Sequence, residues 1–222
     1  MLECADIHVA FGGNQVLEGF SHSFNTGVTA LVGSNGSGKS TLLNVLSGFL
    51  RPNRGYVLWN GTEITTMNPV ARVRVGITRT FQDGRMVTEL LAWEHVALGL
   101  RWGQARSLLT SLALSRVHRI VKRRKEAATD ILQSLEVNKL ANKPISTLSI
   151  GQRRLVALAT AVAADSPCYL FDEPTAGLDM THGNLAARCI RTLADSGKVI
   201  VLVEHNHLFV DLVADSVVGF DH

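Results

Sequence analysis

A glycine-rich segment that follows a short apolar run carries side chains suited to binding phosphate. It consists of Gly33, Ser34, Asn35, Gly36, Ser37, Gly38, Lys39, Ser40 and Thr41. Glycines let the backbone curl so that successive N–H groups point toward one anion, and a helix starting here adds its positive end. In this pattern Lys39 places a charge against the β- and γ-phosphates, and Ser40 offers a hydroxyl to Mg²⁺. The segment therefore predicts a site for a nucleoside triphosphate and Mg²⁺.

Two acids, Asp172 and Glu173, end a second apolar run that begins at Cys168. Adjacent carboxylates at the end of a buried strand are costly unless a cation or a polarised water compensates for them. We expect Asp172 to hold Mg²⁺ through a water, and Glu173 to orient and deprotonate the attacking water. The alternative is a pair of solvated acids at a strand end.

Apolar patterns predict the elements that must position these groups. Thr29–Val32 is typical of a buried strand entering the glycine-rich loop. From Ser40 to Leu50 the spacing predicts a helix, with apolar residues on one side at Leu42, Leu43, Leu46, Phe49 and Leu50. Asn60-Gly61 after a short apolar strand is typical of a hairpin with a type I′ turn.

The rest of the chain alternates in character. Residues 88–140 show a helical pattern, whereas 169–171 and 199–203 are continuous apolar runs, as expected for strands covered on both faces. This order predicts a parallel α/β core with a helical insertion. Gly33, Asp172 and His205 each follow such a run. Since ligands bind at the carboxyl edge of open α/β sheets, we expect them to converge there.

Composition excludes several other classes of protein. The chain has 222 residues, 46% of them hydrophobic, and its net charge of +3 is too small to imply nucleic acid. Neither Asn138-Lys139 nor Asn142-Lys143 is followed by the aspartate that guanine recognition usually needs, which favours ATP over GTP. The three cysteines lack a metal-like spacing, and no run of about 18 apolar residues predicts a membrane span.

The segment Leu148-Ser149-Ile150-Gly151-Gln152 resembles the signature motif of ABC ATPases, usually Leu-Ser-Gly-Gly-Gln. Read locally, Ser149 and Gln152 form a capping box that opens a helix running through Ala164. That helix start presents a hydroxyl, the Gly151 N–H and a positive dipole end to an anion. Ile150 stands where the family usually has glycine.

Other pieces of the family pattern follow in order along the chain. The resemblance implies that Phe11 stacks on adenine, with Val16 as its apolar companion, and that Gln82 reaches Mg²⁺ and the attacking water. It also implies that Asp179 belongs to a D-loop passing between two subunits, and that His205 contacts the γ-phosphate. An ordinary core role for Phe11 and a solvated surface position for His205 are the alternatives.

The resemblance implies a single ABC ATPase domain over residues 1–222, with an α/β fold. It comprises a P-loop NTPase (RecA-like) core, an N-terminal antiparallel β subdomain and an inserted helical subdomain. The expected division assigns 1–82 and 151–222 to the nucleotide-binding core with its β subdomain. Residues 83–150 form the helical subdomain, which ends in the signature motif.

Residues 76–86 look like those of the ATPases of branched-chain amino-acid importers. The resemblance implies a second ATPase subunit, identical or different, that binds ATP in a head-to-tail sandwich. It further implies transmembrane permease subunits, a solute-binding protein, a peripheral position on the cytoplasmic face of the membrane, and import of amino acids or similar small solutes. Two alternatives stay open: a soluble ABC-type ATPase acting in assembly, repair or translation, and a nucleotide-gated interaction module with little hydrolysis.

Overall fold

The structure is a computed structural model that describes residues 1–80, 86–100 and 114–220. Two compact units make up the chain. The first comprises Met1–Gln82, Ser166–Pro174 and Ala187–His222, and the second comprises Asp83–Asp165 and Thr175–Ala186. Within the described residues, no helix is both long and apolar enough to cross a membrane.

The described elements follow the order that the apolar patterns predict, with a run of helices inserted between the strands of an α/β fold. The strands are β1 (Leu2–Phe11), β2 (Asn14–Phe24), β3 (Gly27–Val32), β4 (Arg54–Trp59), β5 (Thr62–Glu63), β6 (Ile77–Arg79), β7 (Cys168–Asp172), β8 (Val199–Val203) and β9 (Ser216–Gly219). The helices are α1 (Lys39–Ser47), α2 (Pro69–Arg74), α3 (Ala92–Gly99), α4 (Leu114–Ser134), α5 (Ile150–Ala163), α6 (Met180–Asp195) and α7 (His207–Val213). Short 3-10 turns lie at Asn138–Leu140 and Ile145–Thr147.

An antiparallel sheet with the strand order β2-β1-β4-β5 forms the N-terminal part of the first unit. Asn60 and Gly61 join β4 to β5, with φ angles of 49° and 77°. Two consecutive positive φ angles are the mark of a type I′ turn, so the predicted hairpin is confirmed.

A parallel sheet with the order β6-β7-β8-β3-β9 forms the rest of the first unit. Every residue of β7 and β8 is buried, as their continuous apolar runs predict. The register aligns both Leu31 of β3 and Asp172 of β7 with Val203 of β8. These three neighbouring strands therefore end together at one edge of the sheet.

Helix α1 is shorter than the sequence pattern predicts. Leu42, Leu43 and Leu46 are fully buried, as expected, but the helix ends at Ser47. Gly48 takes a left-handed conformation with φ 79°, and the N–H groups of the next two residues turn back to the Asn44 carbonyl. The prediction that the helix continues through Phe49, on the side of the three leucines, is therefore wrong, because this C-terminal cap turns the chain away and leaves Phe49 48% exposed.

Arg72 holds the C-terminal end of α1. Its side chain is completely buried, and its guanidinium donates to the carbonyls of Val45 and Leu46 in the last turn of that helix. It also donates to the carbonyls of Ile64 and Thr65. Burial lowers the pKa of Arg72 to about 10, while the negative end of the helix dipole and these carbonyls compensate its charge.

The second unit packs α3 and α4 against α5. His95 of α3 is buried in this packing, with Nδ1 3.0 Å from Thr160 Oγ1. The Thr160 hydroxyl donates to the Val156 carbonyl at 2.7 Å, so it accepts from His95 and fixes the imidazole proton on Nδ1. Burial lowers the pKa of His95, which makes it a neutral core residue.

Helix α5 belongs to the second, helical unit. The sequence-based division instead placed the residues after 150 in the core.

Replacing Arg72 with methionine keeps most of the side-chain volume but removes the donors that serve these buried carbonyls. We expect Arg72→Met to lower the free energy of unfolding by about 3 kcal/mol or more, because unpaired buried acceptors keep their desolvation cost. Urea denaturation measures this loss. Arg74→Met on the exposed side of α2 is the matched control. Equal stability of the two variants would contradict the assigned role of Arg72.

Candidate nucleotide site

The glycine-rich loop leaves β3 at Val32 and leads directly into α1. Gly38 lies just before the helix with φ 102°, and a Cβ there would sit 2.9 Å from both the Val16 carbonyl oxygen and Leu17 Cδ2. Both the backbone angle and the lack of space therefore require glycine. Ser34, Asn35, Gly36 and Ser40 are exposed, Gly33 and Thr41 are half-buried, and Ser37 is buried.

The first turn of α1 is open toward solvent. The first backbone N–H groups of a helix have no acceptor inside the helix, and no side chain of the described residues caps this end. No acidic residue lies in the first turn. The helix start therefore presents donors and a positive dipole end, which together favour an anion.

The ammonium of Lys39 lies inside the loop. Lys39 is only 4% exposed, and Nζ donates to the carbonyls of Gly33 at 2.9 Å and Ser34 at 2.6 Å, and to Ser37 Oγ at 3.2 Å. Burial lowers the pKa of Lys39, and the charge of Glu173 opposes that shift. The lysine is therefore held in the loop together with its three acceptors.

Asp172 ends β7 in a buried environment, with its side chain 6% exposed. Its Oδ2 accepts from the guanidinium of Arg79 at 2.8 Å. Its Oδ1 is buried and has no hydrogen-bond partner within the described part of the chain. A carboxylate oxygen of this kind is a fitting acceptor for water bound to a cation, so the donor chemistry of Asp172 and Ser40 fits Mg²⁺. Gln82, the third residue predicted for the metal, lies outside the described residues.

Glu173 and His205 form an acid–imidazole pair at the same sheet edge. Glu173 Oε1 lies 3.2 Å from His205 Nε2, and the side chains are 19% and 40% exposed. Glu173 has a φ of 47°, which a non-glycine residue adopts only at a cost of about 1–3 kcal/mol. Its N–H donates to the Val203 carbonyl at 2.9 Å, which holds this conformation. Such strain clusters at functional positions, and it aims the carboxylate at the histidine.

The residues predicted for adenine lie on the antiparallel sheet of the first unit. Phe11 ends β1 and is 53% exposed, so the alternative that it is an ordinary core residue is wrong. Val16 lies on β2, half-buried, and its carbonyl contacts the Gly38 position. An exposed ring and a half-buried aliphatic side chain of this kind are suited to stacking and packing against a base.

The signature segment lies in the second unit and forms the predicted capping box. Ser149 Oγ accepts from the Gln152 N–H, and Gln152 Oε1 accepts from the Ser149 N–H, both at 3.2 Å. A Cβ on Gly151 would lie 3.3 Å from Leu178 Cδ2, so the start of α5 runs close against the D-loop. Ile150 is 69% exposed at this helix start.

Asp179 caps the start of α6 in the same unit. Its carboxylate accepts from the His182 N–H and faces the His182 ring nitrogen Nδ1, both at 2.8 Å. The hydrogen bond from the His182 backbone, followed by that from its ring, holds the pKa of Asp179 below its ordinary value. The carboxylate is therefore held in a defined orientation on an exposed loop.

Two charged residues at the site were missed by sequence reasoning. Arg79 contacts Asp172, and Glu204 Oε2 accepts from the N–H groups of His205 at 2.9 Å and Asn206 at 3.3 Å. In the sequence, the only signal for Arg79 and Glu204 is a charged residue within or directly after an apolar strand. That signal marks a buried charge but does not name its partner.

Comparison with known proteins agrees with this geometry. The sequence profile of the ABC transporter family matches residues 17–176. The xylose/arabinose import ATP-binding protein XylG of Sulfolobus acidocaldarius is 31% identical over 223 aligned positions, which cover 100% of this chain and 84% of that protein. The branched-chain amino acid transport ATP-binding protein LivG of Methanocaldococcus jannaschii, described as probable, is 32% identical over 206 residues, 92% of this chain and 80% of its own length.

A ribose import ATP-binding protein, RbsA 2 of Rhizobium johnstonii, is 33% identical over 221 residues, but the chain spans only 41% of its length. Among solved structures, a nucleotide-free ATP-binding cassette from an ABC transporter superposes with a TM-score of 0.83 at 30% identity, covering 99% of this chain and 87% of that one. With the phosphate loop, the acid pair and the signature helix on their predicted elements, the chain belongs to the ABC transporter family and is an ATP-binding, ATP-hydrolysing cassette of that family.

Proposed function

We propose that this cassette is the ATP-hydrolysing subunit of an ABC importer and that it drives transport through separate membrane subunits. One observation carries the catalytic part of the proposal. The phosphate loop, Asp172 and the Glu173–His205 pair leave neighbouring parallel strands at one edge, because Leu31, Asp172 and Val203 share a register. A triphosphate seated at the start of α1 then has its terminal phosphate beside a base and a cation-binding carboxylate.

The loop binds the triphosphate. Backbone N–H groups from Gly33 to Thr41 and the positive end of α1 surround the phosphate oxygens. Lys39 exchanges its carbonyl acceptors in the loop for the β- and γ-phosphates, which are stronger, charged acceptors. Phe11 stacks on the adenine, and Val16 packs beside it.

The acids and the histidine carry the chemical step. Glu173 accepts a proton from the attacking water, while His205 holds that carboxylate and contacts the γ-phosphate. Ser40, Asp172 and Gln82 would hold Mg²⁺, which when bound would offset the negative charge that develops on the phosphates. Gln82 also orients the attacking water.

A second subunit completes each site. The start of α5 presents the Ser149 hydroxyl, the Gly151 N–H and a dipole end, held in place by the Gln152 cap, and these suit a γ-phosphate. In a head-to-tail pair, these groups of one subunit face the loop of its partner, and Asp179 lies at the subunit boundary. Closure of the pair then depends on ATP, and hydrolysis reopens it.

Replacing Glu173 with glutamine removes the base but preserves the side-chain size. We expect Glu173→Gln to keep ATP binding while the rate of hydrolysis falls about 100-fold or more, since general base catalysis contributes at least that much. Phosphate release and equilibrium nucleotide binding measure the two effects separately. Glu18→Gln, at an exposed position on β2, is the matched control. Turnover by Glu173→Gln at the control rate would remove Glu173 as the base.

Mixing two inactive variants tests whether the half-sites are shared. Lys39→Ala spoils the loop and Ser149→Arg spoils the signature helix, so each homodimer has no intact site. A mixed dimer keeps one, formed by Lys39 of the second variant and Ser149 of the first. We expect an equimolar mixture to recover about one quarter of wild-type hydrolysis, as random pairing in a two-fold dimer requires. A mixture as inactive as its components would contradict a site shared between subunits.

The import assignment rests on the family and on relatives named as import ATP-binding proteins for sugars and branched-chain amino acids. We infer that the chain binds permease subunits at the cytoplasmic face of the membrane, with a solute-binding protein supplying amino acids or similar small solutes such as pentoses. The soluble ATPase alternative is not favoured, because these relatives are transport proteins.

Purification from its own host in mild detergent tests this assignment. We expect the tagged chain to bring a polytopic membrane protein with it. In liposomes, the complex should accumulate either a branched-chain amino acid or a pentose when ATP is supplied on the cassette side, with Lys39→Ala as the inactive control. Recovery of the chain free of any membrane protein, with full turnover, would favour the soluble alternative.

A further inference from the structure

Arg79 is a buried cation that none of the proposed catalytic roles uses. It is the last residue of β6, next to β7, and its side chain is only 7% exposed. Its Nη2 donates to Asp172 Oδ2 at 2.8 Å. Its Nη1 donates to Asn44 Oδ1 at 2.7 Å and to Ser47 Oγ at 2.9 Å, and both acceptors belong to α1. One guanidinium therefore joins β6 to both α1 and β7.

The contacts on α1 have a fixed direction. The Ser47 hydroxyl donates its proton to the Leu43 carbonyl at 2.6 Å, so toward Arg79 its oxygen is an acceptor. The Phe49 ring lies 5.9 Å from the guanidinium carbon, a cation–π distance. The planar guanidinium presents Nη1 to α1 and Nη2 to β7, whereas a lysine has only one nitrogen to serve both elements.

This arrangement divides the two oxygens of Asp172. Oδ2 is held by Arg79, which fixes the rotation of the carboxylate and leaves Oδ1 as the oxygen with no protein hydrogen bond in the described ranges. Helix α1, to which Arg79 donates these hydrogen bonds, also carries Ser40 in its first turn. The guanidinium therefore sets both the orientation of the carboxylate and its distance from the helix bearing the hydroxyl.

We propose that Arg79 is a positioning residue for magnesium: it holds Asp172 by Oδ2 and ties it to α1, so that Oδ1 and the Ser40 hydroxyl are preset for one cation. This inference rests on the proposed function, because it assigns a role toward the Mg²⁺ of that site. Arg79 acts through Asp172 and touches neither nucleotide nor cation. Loss of such an outer partner weakens metal binding more than it weakens binding of the nucleotide itself.

The test measures ATP affinity in EDTA and again in excess Mg²⁺, with all variants in a Glu173→Gln background so that ATP persists. The ratio of the two affinities is the magnesium gain. We expect Arg79→Lys to keep its affinity in EDTA within about twofold and to lose about tenfold of the magnesium gain, the usual effect of removing an outer partner. Arg74→Lys, on the exposed end of α2, is the matched control and should keep the full gain.

Two further variants separate positioning from other roles. Arg79→Gln also removes the charge, and a gain above that of the Glu173→Gln reference would mean that Arg79 competes with Mg²⁺, which overturns the proposal. Ser47→Ala removes one anchor on α1 without touching Asp172, and we expect a smaller loss of the gain. If Arg79→Lys does not fold, the loss of magnesium gain in Ser47→Ala alone tests the proposal.

Two other outcomes overturn the proposal in distinguishable ways. Equal loss of affinity in EDTA and in Mg²⁺ would show that Arg79 merely supports the fold, and a full magnesium gain in Arg79→Lys would show that it has no part in metal binding. Absence of any gain in the reference protein would instead refute the magnesium site of the proposed function, and the role of Arg79 with it.

Discussion

The structure of the first unit depends on holding helix α1 in one place, because its first turn is the candidate anion site and its surface packs into the core. Buried cations do this at three points. Lys39 binds the loop carbonyls before the helix, Arg79 grips its side, and Arg72 binds its last carbonyls. Each charge is compensated by carbonyl dipoles or by a carboxylate. The helix is therefore fixed along its length while its N-terminal donors stay open.

The parallel register brings the groups of the proposed catalytic site next to this fixed helix. Since β3, β7 and β8 end together, the glycine-rich loop, the two acids and His205 emerge side by side without any long connection. Glu173 holds its position with a strained backbone. Glu204 accepts from two consecutive N–H groups and so fixes the turn that carries His205. Rigid strands and short polar turns together position the groups that the proposed function assigns to one phosphate.

The second unit positions its polar groups by local hydrogen bonds at helix starts, where the first unit uses strand register. The start of α5 keeps a serine and a glutamine in reciprocal hydrogen bonds, so that its dipole end and the Gly151 N–H are presented in a defined direction. Asp179, held by His182, orders the neighbouring loop in the same way. Both hydrogen-bonded caps involve only residues that are close in the chain, which explains why the sequence shows them as motifs. The start of α5 supplies donors but, among the described residues beside it, no base, which supports the proposal that it completes a partner's site.

The sequence by itself determined what depends on neighbours along the chain. The phosphate loop, the Asn60-Gly61 turn, the capping box of Ser149 and the buried strands all follow from local backbone preferences and apolar periodicity. Only the tertiary structure decided that Phe49 leaves the core, that Arg72 caps α1 across more than twenty residues, and that Arg79 reaches Asp172, 93 positions away. A charged residue in an apolar strand indicates that a buried partner is needed, but the sequence contains many acceptors that could serve equally well. Strand order and register, which arise from packing of the whole sheet, choose among them.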